Sequence, residues 1–247
     1  MIRLILIKLK NTNNVTIVAI HQPEYLPWLG FFKKMMNSEL FVLLDDVQFR
    51  KKDWQNRNRI RTKNGTALLS IPVHAHSYPN INEITIDNNK NWAKRHKKSI
   101  LYNYARAPYF EEFKDFIESV FEKKFEYLID LNTEIIKFVM NKLEIKTKIV
   151  FSSELKISKK GSDRVLDICK QVGADCYITG TSWAQSHLKM EEFKKSNIPV
   201  EFQKFQHPIY TQIHGKFIPE MSIIDLLFNE GREGAKKILQ NSVVSSS

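Results

Sequence analysis

His21-Gln22-Pro23-Glu24-Tyr25 brings an imidazole, an amide, a carboxyl and a phenol together within one short stretch. A neutral imidazole can move a proton near pH 7, which makes His21 a candidate general base. Glu24 is a candidate acid partner or orienter, and Gln22 and Tyr25 could hydrogen-bond a substrate. Pro23 and Pro27 each fix φ and restrain the residue before them, so the loop is stiff. The structural alternative is a proline-shaped helix entry with an incidental histidine.

A second polar group follows at Asp45-Asp46-Val47-Gln48. Asp46 is a candidate catalytic carboxylate, and Asp45 or Asp46 could hold ribose, two sugar hydroxyls or Mg²⁺ beside phosphates. A cap or an ion pair to nearby arginines competes with that reading. No further carboxylate cluster is visible, so no residue is assigned as a dedicated metal ligand. The next segment is basic and rich in amides, with Arg50, Arg57, Arg59 and Arg61 within twelve residues. Gln48 and Asn56 offer donor and acceptor together, while the forks of Arg57 and Arg59 match phosphate. Trp54 could stack on a base or a sugar face, or anchor the loop in the core.

Weaker signals lie further on. Gly180-Thr181-Ser182 closes an apolar run and offers N–H groups and hydroxyls to an anion. His207 and His214 bracket Tyr210 and Gln212, and could complete a site or serve loop packing. Ile157-Ser158-Lys159-Lys160-Gly161-Ser162 opens a helical stretch, where Ser162 also reads as a helix N-cap.

The elements that must position these groups are legible from periodicity. Val15–Ile20 and Glu39–Leu44 are apolar runs of strand length, with a helix at Phe31–Met36 between them. In a parallel sheet both strand ends share one edge, where open α/β sheets bind ligands. Residues 50–61 read as a basic loop and Ala67–Val73 as a strand. Between Asn91 and Leu143 the spacing becomes helical, with Trp92, His96, Ile100 and Tyr104 four apart. Strands return at Lys148–Phe151, Cys176–Thr179 and Val200–Lys204, with helices at 163–171 and 190–196. Ser222–Phe228 and Gly234–Leu239 are terminal helices, and Asn241–Ser247 is a polar tail. The expected fold is α/β: a Rossmann-like, mostly parallel sheet flanked by helices. The expected organisation is one domain over 15–240, with a helical insertion or cap over 91–143.

These words occur in order along most of the chain: HQPEYLPWLGFF, FVLLDDVQFRKKDWQNRNRIRT, NGTALLSIPV, WAKRHKKSI, YARAPYF, DRVLDICKQVGADCYITG and QHPIYTQIHGKFIPEMSIIDLLFNEG. From Val15 to Gly231 it resembles the WbqC-like protein family. The resemblance implies a cytoplasmic bacterial protein of surface-polysaccharide (O-antigen type) or specialised-metabolite pathways. It carries over no catalytic residue.

Composition narrows the partners. Hydrophobic residues make up 43% and charged residues 26%, as in soluble globular proteins. Ile2–Leu9 is too short and too interrupted by lysine to span a membrane, and no cleavage site follows it. Cys169 and Cys176 lack metal spacing and read as buried thiols. The net charge of +11 invites nucleic acid, anionic membrane or phosphorylated substrates. No nucleic-acid motif is present, and carboxylates sit beside the basic run, so a small phosphorylated or carrier-linked substrate is favoured. The expected function is a transferase acting on a nucleotide- or carrier-linked amino sugar by acyl or aminoacyl transfer. The alternatives are an ATP-using nucleotidyltransferase or adenylating enzyme, and a basic nucleic-acid-binding module.

Overall fold

Strands buried on both faces read as near-continuous apolar runs, and that is the character of the three middle strands of the main sheet. A computed structural model describes residues 15–246; the apolar and basic start at Met1–Asn14 lies outside the described residues. The order begins with β1 (Ile17–His21), α1 (Leu29–Met36), β2 (Leu40–Leu43), β3 (Arg57–Thr62), β4 (Gly65–Ser70), β5 (Val73–His74) and β6 (Thr85–Ile86). Three helices follow, α2 (Trp92–Tyr104), α3 (Phe110–Glu122) and α4 (Leu128–Lys142). Then come β7 (Lys148–Phe151), α5 (Gly161–Gln171), β8 (Cys176–Gly180), α6 (Ser182–His187) and α7 (Met190–Lys195). The chain closes with β9 (Val200–Phe205), α8 (Ile223–Asn241) and β10 (Val244–Ser246).

The main sheet has six strands in the order β10-β9-β8-β1-β2-β7. The five from β9 to β7 run parallel, and β10 pairs antiparallel with β9 where a plain polar tail was expected. The chain steps outward from β1 to β2 to β7, returns to the other side of β1, and steps outward again through β8 and β9. That reversal places a topological switch point between the C-terminal ends of β1 and β8. The register aligns His21 with Leu43, Leu43 with Phe151, and Gly180 with Gln203. β1 pairs Ala19 with Ile178, so two residues on His21 stands level with Gly180.

The two faces separate cleanly. Val18, Ile20, Leu40 and Val42 pack with Val165, Ile168, Cys169 and Phe193, which belong to α5 and α7. Ala19, Phe41 and Leu43 point the other way, into a larger cluster with Phe31, Phe32, Leu226, Leu227 and Phe228 of α1 and α8. That cluster continues without a break into α2–α4 through Trp92, Ile100, Phe113, Ile117, Leu131 and Ile135. Both cysteines are free and buried, as their sequence context implied. No helix among the described residues is long and apolar enough to cross a membrane.

Two local expectations are corrected. The stretch expected as a basic loop and a sheet strand is an antiparallel hairpin, β3–β4, outside the main sheet. Its alternation is masked because buried Asn58 takes an inward position, where its amide donates to the Tyr25 and Leu26 carbonyls at 3.2 and 2.7 Å. The hairpin turns at Gly65, whose φ of 125° suits glycine. The two terminal helices are one element, α8, bent at Gly231 with φ 66° and ψ 177°.

Candidate functional site

His21 is the last residue of β1, at the switch point. Its ring lies edge-on to Phe31, with centroids 5.1 Å apart. Nδ1 is 2.9 Å from the Gln22 carbonyl oxygen. A carbonyl only accepts, so Nδ1 carries the proton. Burial, with the positive charge of Lys34 nearby, pushes the pKa down to about 3. The ring is therefore neutral at physiological pH, and Nε2 presents a bare lone pair. The side chain is largely buried and keeps 26% of its surface open.

Glu24 stands 3.8 Å from His21 Nδ1 through Oε1, and its Oε2 is buried with no hydrogen-bond partner. Burial raises its pKa to about 8, against the pull of Lys34. Burial lowers Lys34 on α1 to about 8, against the pull of Glu24. Each group feels the other's charge, so their titrations are linked. Sequence reasoning missed Lys34, because a lysine on a helix normally reads as solvated.

The rest of the loop is pinned. Gln22 Oε1 accepts from Gln55 Nε2 at 2.6 Å, and the Tyr25 N–H donates to the Trp54 carbonyl at 3.1 Å. Tyr25 is wholly buried and its hydroxyl meets His96 Nδ1 at 2.9 Å, which gives it a positioning place inside the fold. Asn56 donates its amide to the Ile71 carbonyl at 2.7 Å, and exposed Gln48 bridges to Asn80 through its backbone.

Asp45 and Asp46 follow β2 on the same sheet edge. Asp45, only 3% exposed, accepts from the Ser153 N–H at 2.9 Å, Ser153 Oγ at 2.7 Å and Ser152 Oγ at 3.1 Å. It caps the short turn after β7. Asp46 accepts from Ser152 Oγ and forms an ion pair with Arg164 of α5. Arg164 also donates to the Ile157 and Lys159 carbonyls at 3.0 and 3.2 Å. Both carboxylates are thus engaged by the fold: Asp45 as a cap, and Asp46 in an ion pair with the distant Arg164 and not with the neighbouring arginines. Among the described residues, no group of three or more His, Cys, Asp and Glu could hold a metal ion.

Gly180 ends β8, level with His21 on the neighbouring strand, and Thr181 and Ser182 lead into α6. Beyond β9, His207 sits among Phe205, Tyr210 and Phe217; Nδ1 meets the Pro208 carbonyl at 2.9 Å. Its Nε2 is buried without a partner, and burial lowers its pKa. His214 Nε2 is 2.9 Å from the Asn103 carbonyl, tying its loop to α2. Arg61 fastens the same loop by donating to the His214 and Lys216 carbonyls. Asp225 of α8, unnoticed in the sequence, is fully buried and accepts from Tyr104, Tyr210 and Gln212 at 2.8, 2.7 and 2.8 Å. Trp54 carries two arginines over its ring, with Arg57 Cζ at 5.8 Å and Arg59 Cζ at 5.4 Å from the centroid.

Five parallel strands reversing about β1, with helices on both faces, define a Rossmann-like α/β protein. The chain belongs to the WbqC-like protein family, whose profile matches residues 22–237. It is 33% identical over 220 residues to the uncharacterized protein Rv1507c of Mycobacterium tuberculosis, an alignment covering 87% of this chain and 94% of that one. No solved structure matches it.

Proposed function

We propose that this protein is a transferase of bacterial surface-polysaccharide or specialised-metabolite biosynthesis. It acts on an amino sugar or related sugar linked to a nucleotide or carrier, by acyl or aminoacyl transfer. The pathway context rests on the family, and the chemistry on one observation: the bare Nε2 of a neutral His21 at the switch-point crevice. As the sugar amine or hydroxyl attacks the donor carbonyl, His21 Nε2 accepts its proton. The new C–N or C–O bond forms, and the bond to the donor's leaving group breaks. Glu24, protonated near neutrality beside Lys34, returns a proton to that group. Asp46 orients the edge through Arg164 and does not itself move a proton.

An ATP-using reading would need the Ser158–Lys160 loop to act with His21. That loop follows β7, and β2 lies between β7 and β1, about 10 Å across two strand spacings. The test is a panel of nucleotide sugars with acyl-coenzyme A donors, with products read by mass spectrometry. His21→Ala should lose at least 100-fold in turnover while its circular dichroism stays native. Full turnover by that variant would sink the assignment.

A further inference from the structure

The arginines of this chain fall into two groups. Arg61 spends its guanidinium on the Thr62, Gly65, His214 and Lys216 carbonyls, and Arg164 on Asp46 and two carbonyls. Arg57 and Arg59 do neither. Among the described residues neither forms an ion pair, and Arg57 Nε is buried with no hydrogen-bond partner. Yet both are held. They lie two apart on β3, hence on one face, opposite Ser70 and Leu68. Asn58 between them is locked to the Tyr25 and Leu26 carbonyls. Both guanidinium groups lie within cation–π distance of the Trp54 indole, with Cζ at 5.8 and 5.4 Å from its centroid, which holds the two side by side.

We infer that Trp54, Arg57 and Arg59 form an anchoring subsite for the phosphate or pyrophosphate of the substrate's carrier. Two ordered, uncompensated forks call for an anion of at least two charges, and each fork suits one phosphoryl group. The indole is already occupied by guanidinium, so it orients arginines and does not stack on a base. The subsite is bonded to the reacting loop twice, through the Tyr25 N–H to the Trp54 carbonyl and through Gln22 to Gln55. An anion held here therefore belongs to the molecule that meets His21. This last step rests on the transferase reading; the anion site does not.

The test is titration calorimetry at low salt with inorganic pyrophosphate and with uridine diphosphate. The wild type should bind pyrophosphate. Arg57→Gln and Arg59→Gln should each weaken it at least tenfold, and Arg59→Lys should fail to restore it, because lysine offers no planar fork. Circular dichroism confirms folding of each variant. His21→Asn should bind as the wild type does. Equal pyrophosphate affinity in the wild type and the double glutamine variant would overturn the subsite. So would no pyrophosphate binding beside a steeply salt-dependent oligonucleotide response. Arg-dependent binding with no product from any pairing of nucleotide sugar and acyl donor would leave the subsite standing and overturn only the transferase reading.

Discussion

The bond from Nδ1 to the Gln22 carbonyl commits His21 to one tautomer, while burial and the charge of Lys34 set its pH dependence. With its pKa at about 3, His21 stays an unprotonated base well below the ordinary histidine range. The acid limb of kcat/KM should therefore lie below pH 5 rather than near 6.5, as a pH–rate profile would read. A limb at 6–7 would mean an ordinary solvated imidazole. Glu24 works in the opposite sense. Its folded pKa of about 8 exceeds its ordinary 4.5, so the fold favours the protonated form. That contribution is fully present below pH 4.5 and is lost as pH rises toward 8. Glu24→Gln keeps the neutral shape, so at pH 8 it should be more stable than the wild type by roughly 1–3 kcal/mol and less active. The two should converge below pH 4.5, and identical melting at both pH values would disprove the burial account. His21 and Glu24 were legible by type and spacing. Lys34 and Asp225 were not, because only the fold reveals that charged residues on these helices are turned inward.

At the scale of elements, the central strands and α2–α5 were readable because burial on one face, or on two, leaves a clean period. The β3–β4 hairpin was not, because its outward residues are arginines and an inward one is an asparagine. Its role as a carrier of paired guanidinium groups is therefore a product of tertiary context. The joint between β2 and α5 is similar: the sequence left Asp46 between metal ligand and ion pair, and Arg164 arrives from 118 positions further along the chain. Arg164→Met strands the Asp46 carboxylate and should destabilise by about 3–5 kcal/mol in urea unfolding, with much of the loss recovered in Asp46→Asn/Arg164→Met. Additive losses would mean the pair is solvent-screened. The bend in α8 is tighter still. A Cβ on Gly231 would lie 2.5 Å from Tyr109 Cδ1, at a φ/ψ reserved for glycine. Gly231→Ala should cost at least about 1–3 kcal/mol, read as a lowered Tm.

Across the whole molecule, α2–α4 share one buried cluster with α1 and α8. We expect them to unfold with the sheet in a single transition, with far-UV circular dichroism and tryptophan fluorescence superimposed on heating. An earlier, separate helical transition would make them an independent cap. The order of the strands has a further consequence, one of time. β1 is synthesised first, but its second neighbour, β8, comes far later: the Thr16 N–H bonds to an Asp175 oxygen 159 residues away. At ribosomal speed that interval is on the order of ten seconds, during which one side of β1 is a bare edge able to template pairing with other chains. The crevice is thus among the last features to exist. Rapid synthesis at high temperature should divide the product between folded and aggregated chains according to how long that edge stays open.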